Sequence, residues 1–387
     1  MIKMNSQNSE SELAEYVLLL GAGFTKNFGG LLAEEMWTHI FNHEETQAQP
    51  RIKKLMLNNF NYEDIYYSVL ENLKDKESLF LPIEFTDEEK KAIKNATKYA
   101  YEYIDEIIRN QANLFKSLSP DKDLVSSFKT LRKKYQVIWP NGKISYQEFS
   151  TKSKSFIFTL NQDLFFERTY WNNSVASLSI PGIPNDVKWF ESNFNEPLEQ
   201  EDYIKLPSKD ELKSVENDLL KCGNFFLIKL HGSFNWKSSN DSDNDSDIMV
   251  IGRGKNRQIK NEPLLCYYYE IFKKVLSRTN LRLLVIGYGF GDEHINSVIS
   301  NAVENYGLKI YILSPESPNK LKERLCAGCK KETVNIWYGI SGYSQKVEEI
   351  LRNLNNESTT IRDHFYNNLF GKSEIEILKV NSVNEDI

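Results

Sequence analysis

Five apolar runs in the chain each end in polar or glycine residues of the kinds that bind and react. "YVLLL" leads into Gly21-Ala22-Gly23, "SFIFTL" into Asn161-Gln162-Asp163, and "NFFLIKL" into His231-Gly232-Ser233. "LRLLVI" leads into Gly287-Tyr288-Gly289 with Asp292 close behind, and "LKIYIL" into Ser314. Glycines at such a turn permit a tight bend and a close approach of backbone to a phosphate. A histidine titrates near neutral pH and is a candidate base. Asn161 and Asp163 can orient a ligand, or simply cap a following helix in "LFFERTYW". In an open parallel sheet, ligands lie beyond the carboxyl ends of the strands, so the five clusters converge on one edge.

Taken singly, each cluster also has a plain structural use. Gly21-x-Gly23 is half of a dinucleotide fingerprint, with Lys26 where the third glycine would stand. The region about 20 residues further on reads as helix and not as a second strand closed by an acidic residue, which disfavours a standard dehydrogenase unit. A lone histidine is more often a satisfied core residue than a base. Their combination at successive strand ends shifts the reading towards a site.

The elements that must position these groups follow from periodicity. Continuous apolar runs suit strands buried on both faces of a parallel sheet, and the segments between several of them carry helical spacing. "GGLLAEEMWTHIFNH" is expected to be a helix after the first turn. Residues 45–150 are expected to form a mostly helical insertion, broken at "FLPIEFTD", where Pro82 interrupts and Thr86 caps. The basic string "KTLRKKY", Lys129 to Tyr135, reads as the solvated end of a helix. Ser179 to Asp202 reads as irregular, and the acidic serine-rich run Lys237 to Asp247 as a surface loop. That run lacks the glycine and terminal glutamate of a calcium loop. "TVNIWYGISGYSQKVEEILRNL" is expected to give a strand or turn and then a helix. The fold class is therefore α/β: a Rossmann-like, mostly parallel sheet with helices on both faces, plus the helical insertion. The expected organisation is a polar tail at 1–14, the sheet domain at 15–350 and a C-terminal segment at 351–387.

Composition bounds the rest. The 387 residues are 40% hydrophobic and 12% aromatic, which excludes a disordered chain. No apolar run approaches the roughly 20 residues of a membrane span, and the start lacks the apolar core of a secretory signal, so a cytoplasmic protein without membrane contact is expected. The net charge of −6 provides no general drive towards nucleic acid, and direct binding of it is not expected. Four cysteines do not make a disulfide framework, and the single pair Cys326 and Cys329 is too few for a structural zinc, so no metal is expected. The aromatic stretch "NFNYEDIYYSV" exceeds what a solvated face needs; it reads as core first, with homo-oligomerisation as an expectation.

"GAGFT" at 21–25, "TLNQD" at 159–163, "KLHGS" at 229–233 and "GYGFGDEHIN" at 287–296 resemble, in the same order, the nicotinamide adenine dinucleotide motifs of the sirtuin family. The resemblance implies NAD+ as substrate. It places Ala22, Gly23 and Thr25 against phosphates and ribose, Asn161 on a ribose or a water, Asp163 on the nicotinamide carboxamide, and His231 as general base. Gly287, Tyr288 and Ser314 would lie near the adenosine half, and Phe24, Thr159, Gly289 and Asp292 complete the implied cofactor-binding set. Cleaving the nicotinamide–ribose bond generates an oxocarbenium-like sugar, which needs a positioned nucleophile and a base. Sirtuin deacylases carry a "GIPDFR" segment and two CxxC pairs; this chain has "FGGLLAEEMW" and one pair. These departures resemble the antiphage branch of the family, whose members hydrolyse NAD+, and the layout is similar to the subunit that works with a HerA-like hexameric ATPase. The implied activity is NAD+ glycohydrolysis, with protein deacylation, or dinucleotide sensing without turnover, as alternatives.

Overall fold

The computed structural model describes residues 16–71, 84–116, 134–138, 144–148, 154–170, 178–183, 196–199, 202–215, 219–220, 225–238, 247–279, 281–328, 330–345 and 375–379. Strand β1, Tyr16–Leu20, enters a one-turn helix α1, Ala22–Thr25. Helices α2 (Ala33–Asn42), α3 (Glu44–Ala48), α4 (Pro50–Asn58), α5 (Tyr62–Leu70) and α6 (Asp87–Lys116) follow. Two strands, β2 (Lys134–Ile138) and β3 (Ile144–Glu148), then precede β4, Ser155–Thr159, and helix α7, Phe165–Tyr170. Beyond the short β5 (Ile204–Lys205) and α8 (Lys209–Val215) come β6 (Phe225–Lys229), β7 (Gly232–Lys237), β8 (Asp247–Met249), α9 (Lys255–Asn261) and α10 (Pro263–Leu276). The chain continues through β9 (Arg282–Ile286), α11 (Glu293–Tyr306), β10 (Lys309–Leu313), α12 (Pro318–Cys326), α13 (Lys331–Tyr338), β11 (Ile340–Ser344) and β12 (Ile375–Lys379).

The main sheet has the order β11-β10-β9-β1-β4-β6, and every pairing in it is parallel. Numbered by appearance within the sheet, this is the doubly wound order 3-2-1-4-5-6 read from β6, the Rossmann-like arrangement expected from the alternation of apolar runs and helices. All five residues of β1, β4, β6 and β9 are buried, as continuous apolar runs in a sheet covered on both sides must be. The strand order reverses between β1 and β9. There the chain leaves two neighbouring strands in opposite lateral directions and opens a crevice above their carboxyl ends.

In the insertion, the described residues 45–71 and 84–116 are mostly helical, and further on β2 and β3 form an antiparallel pair onto which β12 adds in parallel. Lys134 and Tyr135, expected at a helix end, open strand β2; residues 129–133 lie outside the described residues. Thr86 does cap α6: its hydroxyl accepts the Glu89 N–H at 3.2 Å and Glu89 Oε2 accepts the Thr86 N–H at 2.9 Å, a reciprocal capping box. Pro82 lies outside the described residues. On α6, Ala92, Ile93, Ala96, Ala100, Ile104 and Ile108 recur at three- and four-residue intervals and are buried. In "TVNIWYGISGYS" the first residues, where a strand or turn was expected, belong to helix α13, and strand β11 follows; residues 346–354, where the helix was expected, lie outside the described residues. Gly339 ends the helix, and the apolar positions that suggested a strand instead bury Ile336 on a helical face. The acidic run, at 239–246, lies outside the described residues between β7 and β8, which pair antiparallel. Cys222 and Cys329 also lie outside them; Cys266 and Cys326 are free thiols.

Candidate active site

At the reversal point the two glycine turns interlock. Gly21 N–H donates to Ile286 O at 3.1 Å and Gly23 N–H to Gly287 O at 3.0 Å. A Cβ on Gly21 would stand 2.7 Å from Gly287 O, and one on Gly287, whose φ is +67°, would stand 2.1 Å from the Phe24 nitrogen. No side chain fits between these loops, so the glycines are required by loop-to-loop contact as well as by the bend. The Phe24 ring turns inward. It meets Phe28, Phe165 and Phe166 at centroid distances of 5.2, 5.3 and 5.7 Å, a buried aromatic cluster that anchors the turn from below.

Above the turns lies a cleft of about 500 Å³, within the roughly 300–1,000 Å³ usual for small-molecule sites. Ala22, Gly23, Thr25, Asn161, Asp163, His231, Gly287, Tyr288, Gly289, Asp292 and Ser314 all line it, so five strand ends contribute as expected. Phe24 and Thr159 stand apart from the lining. Phe24 belongs to the aromatic cluster, and the buried Thr159 hydroxyl accepts the Asn161 N–H at 3.1 Å, shaping the strand end from behind.

Asn161 spends its amide nitrogen on the turn: Nδ2 donates to Gly21 O at 3.0 Å and to Thr25 Oγ1 at 3.3 Å. Among the described residues its Oδ1 has no partner, and it is not sealed off, so an acceptor is left for a water or a hydroxyl in the cleft. Asp163 is buried and caps α7 through the Phe165 N–H at 3.0 Å. Burial pushes its carboxyl up to about 6, against the opposing pull of Lys229 and the Phe165 N–H. Lys229 sits below the loop and donates to Asp163 O at 2.6 Å, Glu167 Oε1 at 2.7 Å and Ser233 Oγ at 2.8 Å, tying β6, β7 and α7 together under the site.

His231 is 3% exposed, and its Nε2 lies 3.0 Å from Nε2 of His294, the second residue of α11. Burial lowers the His231 ring to about 3 and the His294 ring to about 4; Asp292 opposes this in both, and Lys255 reinforces it. Both imidazoles are therefore neutral at pH 7. A carboxylate oxygen of Asp292 and one nitrogen from each ring all lie within 4.8 Å of one another, the one such group found among the described residues with the spacing to surround a metal ion. The cation beside that carboxylate is Lys255, which lies 2.7 Å from Asp292 and 2.9 Å from Glu63.

The rest of the lining comes from α2 and from α5 and α6 of the insertion, which sequence reasoning did not connect to the site. Met36, Tyr62, Glu63, Tyr101 and Ile104 all face the cleft. Asn61 caps α5 by accepting the Glu63 and Asp64 N–H groups at 3.0 and 3.4 Å, which fixes where that helix begins. The Tyr101 hydroxyl donates to Gln162, so α6 touches the Asn161–Asp163 loop directly. His294, Lys255, Glu316 and Arg324 were likewise unassigned. His294 had a visible signal, its place in "GYGFGDEHIN"; Lys255 and the insertion residues had none, because their neighbours in space are nearly 40 or more residues away in sequence.

Residues 155–334 match the sequence model of the SIR2-like domain, a family that binds NAD+. That span runs from β4 into α13 and includes Asn161, Asp163, His231, the Gly287 turn and Ser314; β1, the first glycine turn and helices α1–α6 precede it. No curated protein sequence matches the chain.

Proposed function

We propose that the protein is an NAD+ glycohydrolase that releases nicotinamide and leaves ADP-ribose. The carrying observation is the meeting of an open Asn161 Oδ1, the Asp163 carboxyl and the neutral His231 ring in one cleft at the sheet's reversal point. The dinucleotide would lie across the reversal, its adenosine half towards Gly287, Tyr288 and Ser314 and its nicotinamide half towards Asp163. Asn161 Oδ1 would accept a hydrogen bond from the attacking water or a ribose hydroxyl, and neutral His231 can take a proton at pH 7. Water as acceptor is supported by the lining, which Met36 of α2 and Tyr62 and Tyr101 of the insertion crowd with bulky side chains.

This reading extends to a depletion role in antiphage defence, with activity gated by assembly with a HerA-like ATPase. The support for that extension is the sequence resemblance alone. Nicotinamide release is measured with the purified protein alone and with such an ATPase. His231→Ala and Asn161→Ala are each expected to lower the rate about 100-fold or more. Undiminished turnover in both variants overturns the site, and an acyl-peptide assay separates deacylation.

A further inference from the structure

We propose that His294 is a positioning residue for the base, which fixes the His231 tautomer and receives the proton that His231 passes on. The inference rests on the hydrolytic reading above. Two Nε2 atoms 3.0 Å apart hold one proton between them: two N–H groups would repel, and two lone pairs would not bond. His231 lines the cleft, its Nδ1 has no partner among the described residues and is not sealed off, and its Nε2 side meets His294, which is not among the lining residues. For Nδ1 to accept a proton from the cleft it must carry the lone pair. In the neutral ring the hydrogen is then on Nε2, and His231 is the donor to His294.

The water oxygen bonds to the ribose anomeric carbon as the carbon–nitrogen bond breaks, and that bonding pair stays on the nicotinamide ring nitrogen, which becomes neutral. The water proton goes to His231 Nδ1, and the Nε2 proton of His231 goes to His294 Nε2. His294 then carries the positive charge beside Asp292, and the proton later leaves to solvent. The groups facing the pair are Asp292 at the start of α11 and Lys255 of α9, with Glu63 of α5 on the far side of that ammonium. The backbone of His294 is itself held, because Tyr269 of α10 donates its hydroxyl to His294 O at 2.9 Å.

The full chain labelled with ¹⁵N-histidine tests the pairing without any turnover. The spectra are expected to show His231 with hydrogen on Nε2 and His294 with hydrogen on Nδ1, and His294→Ala is expected to release the His231 tautomer. In the nicotinamide assay, His294→Ala is expected to lower kcat about 100-fold with KM within about twofold and to change the acid limb of the pH profile. His294→Gln, which keeps an acceptor, is expected to restore the tautomer and part of kcat. His231 carrying Nδ1–H, or full kcat in His294→Ala while His231→Ala is inactive, overturns the proposal. So does stoichiometric uptake of added Zn²⁺ by the purified protein that shifts both rings together, because the pair would then be a ligand set. If no assembly turns over NAD+, the hydrolytic reading fails, and the tautomer spectra still decide the pairing.

Discussion

His231 and His294 make the folded state sensitive to acid in a direction their environment dictates. In the unfolded chain both rings take up protons near pH 6.5; in the folded protein they do so only near 3 and 4. Between those values the unfolded state binds more protons, so stability falls as pH drops, by up to about 1.4 kcal/mol per pH unit for each ring. Asp163 acts oppositely. Its carboxyl, raised to about 6 from 3.8, binds its proton in the folded state first, so its contribution grows as pH falls through that window. A His231→Gln, His294→Gln double variant is expected to lose the histidine limb, and thermal unfolding from pH 7 to 4.5 should then fall less steeply than in the unaltered protein. An identical slope would show that the two rings titrate in the folded protein as they do in the unfolded chain. The place of Asn161 and His231 after apolar runs, and of His294 in "GYGFGDEHIN", was readable in the sequence; the pairing of the two rings was not, since it is a 3.0 Å contact across 63 residues.

At the scale of elements, the cleft depends on how α6 is tied to the strand-end loops. Arg168 of α7 is fully buried and grips Asp105 of α6 with two bonds, Nε to Oδ1 at 2.9 Å and Nη2 to Oδ2 at 2.6 Å. Arg109 adds a third contact to Asp105 at 3.2 Å. Removing one partner of such a pair leaves an uncompensated buried charge, so Asp105→Ala is expected to cost about 3–5 kcal/mol in urea unfolding. A loss below about 1 kcal/mol would mean that water reaches the pair. The second tie joins α5 and its C-terminal end to α9 and the loop entering it: Lys255 meets Glu63, Arg253 meets Asp64 and Arg257 meets Glu71. The Arg253 and Arg257 side chains are well exposed and their pairs contribute little to stability; Lys255, 14% exposed, also reaches Asp292 and so joins insertion and sheet. Apolar runs and caps made most of these helices legible. The helical state of "TVNIWY" was not, because its apolar residues fit either period.

For the whole molecule, the site lies between the sheet and the insertion, so a bound dinucleotide or its product should order both. ADP-ribose at about one hundred times its Kd is expected to stabilise the protein by about 2.7 kcal/mol. Hydrogen exchange is expected to slow in α5 and α6 as well as in the loops after β1 and β9. Protection confined to the strand-end loops would show that the insertion is no wall of the site. Assembly with an ATPase of the HerA type, if it gates turnover, is expected to raise the rate of nicotinamide release without raising it in His231→Ala.

By itself the sequence determined the doubly wound sheet, because strands buried on both faces must be continuous apolar runs and each parallel return needs a crossover. It also determined which residues stand at the carboxyl ends of those strands, since a residue that follows a buried run has nowhere else to be. Tertiary structure alone decided that the glycines of two turns interlock, that the Phe24 ring faces the core, and that the insertion closes the cleft with Tyr62 and Tyr101. It alone paired His231 with His294 and set Lys255 between Glu63 and Asp292. These are contacts between segments far apart in the chain, and no local periodicity encodes which of them will meet.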